Sequence, residues 1–118
     1  MPNEQIISKF FEAMNTRDLE VIDAVLLPEA RFDFPKTQPL IGKDRILKFF
    51  GILFRQYPKL SFEVQRIIVQ GQLAAIHWNN NGQNRRKEPY ENEGVTILEF
   101  EAEKIRYISD FFKNTEKF

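Results

Sequence analysis

Asp110 lies between Ile108 and Phe112 in the alternating stretch Ile105–Phe112, so a strand there turns this carboxyl to the same face as two large apolar side chains. A carboxyl among such neighbours loses hydration, and its pKa rises toward the range useful for general acid–base chemistry. The bland reading of Asp110 is an arginine partner or a wetted place at a pocket mouth. His77, the single histidine of the 118 residues, is the second candidate. Alternation gives it a face shared with Ala75 and Asn79, opposite Ile76 and Trp78. Were that the inner face, a His–Asp pair could move a proton between two ligand atoms, and Asn79 could offer a hydrogen bond to a ligand carbonyl. A lone histidine is more often structural, and a slip of one residue in register exchanges His77 for Trp78. One histidine with scattered carboxylates makes no metal site. The absence of cysteine excludes thiolate zinc, disulfides and a thiol nucleophile.

The elements that must position these residues follow from periodicity. Gly94–Glu101 and Ile105–Phe112 read as a hairpin joined at Ala102-Glu103. Thr96, Leu98 and Phe100 share one face of its first strand and Val95 and Ile97 the other, the pattern of a sheet covered on both sides. On its second strand Arg106, Ile108, Asp110 and Phe112 share a face, with Ile105, Tyr107, Ser109 and Phe111 opposite. A second hairpin pairs Leu60–Gln70 with Leu73–Asn81 around Gly71, and the run Ile67-Ile68-Val69 predicts a bulge near Arg66. Upstream, Ile7, Phe10, Phe11 and Met14 recur at helical spacing from an Asn3 cap to about Asn15. Asp18 caps a short helix carrying Leu19, Ile22, Val25 and Leu26, which Pro28 stops. Ala30–Phe34 reads as an edge strand closed by Pro35. Ile46, Leu47, Phe49, Phe50, Leu53, Phe54 and Tyr57 trace a third helix ended by Pro58. Lys113–Phe118 is a short tail. Helix, helix, strand, helix and then four strands make an α+β chain with helices on one side of a mainly antiparallel sheet.

Bulk properties restrict the partners. With 17 Lys+Arg against 17 Asp+Glu, the chain has no broad positive field for a phosphate backbone, so nucleic acid is not an expected partner. No stretch approaches a membrane span, and Met1-Pro2-Asn3-Glu4 lacks the basic start and apolar run of a signal peptide. The expectation is one domain over 1–118, soluble and cytoplasmic, with no membrane partner. Twelve phenylalanines must build a dense aromatic core or line an apolar cavity. Arg85-Arg86-Lys87 reads as a solvated loop tip, and Asp33 as a surface or dimer-contact charge beside Arg31.

The element order, together with Asn15-Thr16-Arg17-Asp18-Leu19, Ala30-Arg31-Phe32-Asp33-Phe34-Pro35, Ile41-Gly42-Lys43-Asp44-Arg45-Ile46 and Phe100-x-x-x-Lys104-Ile105…Asp110-Phe111-Phe112, resembles the NTF2-like superfamily over nearly the whole chain. Within it the chain is most similar to SnoaL-like and ketosteroid-isomerase-like proteins. The resemblance implies a cystatin-like cone, in which a curved sheet wraps around helices and an internal apolar pocket, and a homodimer formed through the sheet. Ketosteroid isomerase works with a carboxylate base and an oxyanion hole of tyrosine and protonated aspartic acid. Those positions fall on Phe34, Phe10 and Thr96, so that constellation is absent. SnoaL-like cyclases place an acid/base aspartate near Asp110, and the alignment turns the Ala75, His77 and Asn79 face inward. The family turn usually has glycine where Glu103 stands.

Catalytic expectations therefore rest on Asp110 and His77. The expected ligand-binding residues are Phe10, Met14, Phe32, Phe34, Phe54, Asn79, Thr96, Leu98, Ile108 and Phe112, with no cofactor and no metal. One reading is a small enzyme that isomerises, dehydrates or cyclises a compact apolar or aromatic molecule bearing a carbonyl or hydroxyl. The other is a non-catalytic ligand-binding or dimeric interaction domain of the same fold, in which Asp110 only offers a hydrogen bond.

Overall fold

The computed structural model describes residues 2–117; Met1 and Phe118, the last residue of the expected tail, lie outside them. Among the described residues three α-helices pack on one face of an open six-stranded sheet of order β2-β1-β6-β5-β4-β3. The helices are α1 (Pro2–Thr16), α2 (Leu19–Val25) and α3 (Lys43–Gln56), and the strands are β1 (Leu26–Asp33), β2 (Leu40–Ile41), β3 (Lys59–Gln70), β4 (Leu73–Gln83), β5 (Pro89–Glu101) and β6 (Lys104–Phe112). All strand pairs are antiparallel except β1 with β6, so the sheet is mixed and the chain α+β.

Three polar side chains hold helix ends. Asp18 caps α2, its carboxylate accepting from the backbone N–H groups of Glu20 (3.1 Å) and Val21 (3.2 Å). Arg17 stands in the left-handed region (φ 64°) and sends its guanidinium to the end of α3, donating to the carbonyls of Phe54 (3.1 Å) and Tyr57 (2.6 Å) that the helix leaves unpaired. At the end of α1, the Asn15 side chain donates to the Phe62 carbonyl (3.0 Å) and accepts from the Phe62 N–H (2.7 Å), which locks the helix to β3.

The apolar stripes of α1 and α3 meet the inner face of the sheet in an aromatic core. Phe11 contacts Phe62 (6.3 Å between centroids), Phe62 contacts Trp78 (5.1 Å), and Trp78 contacts Phe112 (5.1 Å). The chain of rings continues from Phe112 to Phe34 (5.3 Å), Phe49 (4.8 Å), Phe50 (5.9 Å) and Phe10 (6.0 Å), then closes on Phe11 (5.4 Å). Edge-on pairs in such a circuit contribute about 0.5–1.5 kcal/mol each beyond the area they bury.

Four expectations need correction. β1 begins at Leu26 rather than Ala30: α2 ends at Val25, three residues before Pro28, which is carried inside the strand, where the pairing with β6 shifts register between Leu26 and Arg31. β1 is not an edge, since the short β2 pairs with it at Arg31 and Phe32. On β6 an irregularity opposite Glu99 and Phe100 turns Ile105 inward, fully buried, and Arg106 outward onto Glu99. The outer face of the sheet, with Val95 and Ile97 half-buried, is not covered by any described element of this chain. The bulge anticipated near Arg66 falls between Val64 and Arg66.

Candidate functional site

The inner face of the sheet is laid out in cross-strand rows. Ile76, Thr96 and Asp110 form one row, Trp78, Gly94 and Phe112 the next, and Asn80 and Asn92 the one after. Gly94 permits the middle row: a Cβ there would lie 2.3 Å from the Phe111 carbonyl oxygen and 2.9 Å from the Trp78 ring, so only glycine lets the indole lie against β5. From that position Trp78 Nε1–H donates to Thr96 Oγ1 at 2.8 Å, and the Thr96 hydroxyl, its oxygen already engaged, donates to Asp110 Oδ1 at 2.6 Å.

Asp110 is half-buried and lines a cavity walled mainly by apolar side chains. Loss of hydration therefore dominates: burial pushes the carboxyl from 3.8 up to about 7, and the Thr96 hydroxyl, which favours the anion, offsets only part of the rise. The cavity measures about 120 Å³ and is walled by apolar side chains that include Met14, Phe34, Phe49, Phe50, Phe62 and Phe112. Its polar lining comes from Asp110, Asn80, Tyr90, Tyr57 and Gln56. Burial raises the Tyr57 and Tyr90 hydroxyls above their ordinary value, so both are neutral at physiological pH. Their rings meet at 4.9 Å, and the Tyr90 oxygen accepts from Asn92 Nδ2 (3.2 Å). A larger open groove of about 890 Å³ adjoins the cavity at Leu60 and Tyr90 but does not reach Asp110.

The residues expected at the site are distributed unevenly. Met14, Phe34, Phe112 and Asp110 border the cavity, and Thr96 is buried behind Asp110 as its hydrogen-bond donor. Phe10, Phe32, Leu98 and Ile108 are almost fully buried in the core and do not border the cavity. Phe54 stacks on Phe50 beneath the Arg17 guanidinium, also away from it. His77 and Asn79 are the substantive correction. Ala74, Ile76, Trp78 and Asn80 face inward, so His77 and Asn79 lie on the outer face. There His77 Nε2 meets Glu93 Oε2 at 2.6 Å, and Asn79 Oδ1 accepts from Gln65 Nε2 at 2.6 Å. The His77 ring and the Lys113 ammonium hold the Glu93 carboxyl below its ordinary value. Asn79-Asn80-Asn81-Gly82 reads in the sequence as a strand end and turn, but β4 continues through it to Gln83, and Asn80, two residues from the buried Trp78, faces inward.

Asp33 makes an outer-face network instead. Arg31 Nε donates to it at 3.0 Å and the Tyr107 hydroxyl at 2.6 Å, and these two partners hold its carboxyl below the usual range. Among the described residues no group of three or more His, Asp or Glu side chains converges to hold a metal ion, and no helix is long and apolar enough to cross a membrane.

A sequence profile of the SnoaL-like domain matches residues 7–108. No curated protein matches the chain. An NTF2-like protein of unknown function from Burkholderia pseudomallei shares its fold at a TM-score of 0.90 and 19% identity, over 98% of this chain and 94% of that one. A proposed SnoaL-like polyketide cyclase from Jannaschia sp. CCS1 superposes at 0.87 and 17% identity, over 95% and 85%. TerC, crystallised with polyporic acid, superposes at 0.87 and 17% identity, over 96% and 92%. At these identities the likeness is one of fold alone.

Proposed function

The chain belongs to the SnoaL-like domain family, and from that premise we propose that it is a small-molecule enzyme whose cavity performs cofactor-independent acid–base chemistry at Asp110. The observation that carries this reading is a carboxyl held near neutrality against an apolar cavity of about 120 Å³. A group whose pKa matches the working pH is present in both protonation states and can give a proton and take one back. Thr96 engages Oδ1, which leaves Oδ2 to carry the proton to the ligand. The neutral acid protonates a ligand carbonyl oxygen or, in dehydration, a hydroxyl that departs as water; the carboxylate so formed takes a proton from a carbon beside the carbonyl or from an attacking hydroxyl. Isomerisation, dehydration and ring closure all consist of such paired transfers, with no net oxidation. The phenylalanine walls exclude water and keep the acid from ionising early. His77, on the far face of the sheet, has no part in this scheme.

The test is proton exchange. A panel of single-ring ketones incubated with the protein in D2O and followed by NMR should show exchange beside the carbonyl that Asp110→Asn abolishes. Exchange that survives the substitution contradicts the assignment. Binding without exchange in the wild-type protein returns the chain to the non-catalytic ligand-binding reading.

The partner we propose is a second copy of the same chain, docked through the uncovered outer face of the sheet. A cross-strand row of Ile68, Ala75, Ile97 and Ser109 crosses that face, flanked by Leu73 and Phe111, and Ile68 and Phe111 are 66% and 59% exposed. The small Ala75 and Ser109 in this row allow close approach of a flat partner, and Ala75→Arg should convert a dimer into a monomer in analytical ultracentrifugation.

A further inference from the structure

Asn80 is 3% exposed and lines the cavity, and its Oδ1 is the one buried side-chain oxygen or nitrogen among the described residues with no hydrogen-bond partner. Its neighbours are satisfied. Asn92, in the same cross-strand row, donates to the Tyr90 oxygen and to the Asn114 carbonyl (2.8 Å) and accepts from the N–H groups of Glu93 (2.9 Å) and Asn114 (3.2 Å). Asn79, one residue away on the outer face, is paired with Gln65. Buried acceptors are rarely left orphaned, because desolvation is then uncompensated. An amide oxygen in that state on a cavity wall is an acceptor awaiting a donor.

We propose that Asn80 is the specificity-determining second pole of this cavity, accepting at Oδ1 a hydrogen bond from the hydroxyl of a single-ring ligand whose reacting carbonyl lies at the Asp110 end. The inference rests on the reading that the cavity takes a ligand. Ring number is bounded by volume: a dry engineered cavity of roughly 150 Å³ accommodates benzene, so about 120 Å³ admits at most one ring and no fused system. Arrangement follows from register. Asn80 pairs with Asn92 and Asp110 with Thr96, four residues apart on β5, which separates the two rows by about 13 Å along the strand at ~3.3 Å per residue. A ring carrying its hydroxyl opposite its reacting group reaches toward both poles, whereas a bare ring engages neither. The polarity of the pair is complementary as well: a protonated Asp110 donates, and Asn80 Oδ1 accepts.

Three single-ring probes separate the possibilities: 4-methylphenol, which donates; 4-fluorotoluene, a near-isostere that cannot donate; and toluene, which lacks the substituent. Their affinities are read by NMR titration in wild type, Asn80→Leu, Asn80→Ala and Asp110→Asn, with the emission of the single tryptophan, Trp78, and thermal melts reporting folding. Wild type should prefer 4-methylphenol over 4-fluorotoluene about tenfold, the ratio expected for one recovered hydrogen bond. Both Asn80 variants should lose that preference while still binding toluene, and Asp110→Asn should keep it. A preference that persists in both folded Asn80 variants overturns the assignment and leaves a resident water as the partner of Oδ1. A preference lost only in Asp110→Asn overturns it too, since the hydroxyl then pairs with the acid, and the acid–base reading still stands. No binding of any probe to wild type also overturns it, while the exchange experiment judges Asp110 on its own.

Discussion

Replacing Asp110 by asparagine keeps the size of the side chain and an oxygen for the Thr96 hydroxyl, but removes the ionisation. The unfolded carboxyl titrates near 3.8 and the folded one near 7. Between those values the native protein holds a proton that the unfolded chain has released, so this group makes wild-type stability fall as pH rises from about 4 to about 7 and leaves it level above that. At about 1.4 kcal/mol per pH unit, the full difference amounts to about 4 kcal/mol. Asp33 and Glu93 act in the opposite sense, because their folded pKa values are lowered by Arg31 and by His77. The stability they contribute is lost as pH falls, but both are present in either protein and cancel in the comparison. Urea denaturation followed by Trp78 fluorescence, at intervals between about pH 4 and about pH 8, should therefore give two curves that meet at the acid end. At the alkaline end Asp110→Asn should be the more stable protein, by up to about 4 kcal/mol. Parallel curves over the whole range would mean instead that Asp110 ionises as it does in the open chain.

Other consequences follow from single contacts. Thr96→Val removes the acceptor of the buried Trp78 N–H and should cost about 1–3 kcal/mol in urea denaturation, with the Asp110 pKa moving further up because its one anion-favouring donor is gone. Glu103→Gly should raise stability by about 0.5–1 kcal/mol, because Ala102 (φ 53°) and Glu103 (φ 61°) both occupy the left-handed region of a two-residue hairpin turn that glycine adopts freely; a thermal melt reads it. Gly94→Ala should cost about 1–3 kcal/mol and shift the Trp78 emission, since the added methyl meets both the indole and the Phe111 carbonyl. His77→Ala should leave ligand affinity and exchange activity unchanged, as its ring pairs with Glu93 on the far side of the sheet.

Much of the fold is legible in the sequence because the helical stripes are long and strongly periodic. Ile7, Phe10 and Met14, and Ile46 and Phe50, are the residues that pack inward. Asp18 and the two hairpins are equally plain, since capping and turn chemistry act locally. What alternation cannot supply is the sense of a face when both faces are apolar. Ala75 with His77 and Asn79 competes with Ala74, Ile76, Trp78 and Asn80, and the outer face that carries Val95 and Ile97 looks as much like a core as the inner one does. Bulk decides it, for Ile76 and Trp78 are the larger pair and both are buried. The reversal at Ile105 and Arg106 has a different cause. The irregularity opposite Glu99 and Phe100 breaks the period of two, and nothing in the residues of β6 announces it. Phe10 and Phe32 were expected at a cavity and stand in the core instead, because closing a circuit of rings uses most of the aromatic side chains as packing.

The proposed chemistry depends on a carboxyl that an apolar cavity keeps protonated until neutral pH. Selective carbon-13 labelling of aspartate, with Asp110→Asn to assign the signal, allows the Asp110 carboxyl to be titrated directly by NMR in the ligand-free protein. The expected midpoint is about 7. A midpoint near the ordinary value of about 3.9 would show a hydrated side chain and contradict it.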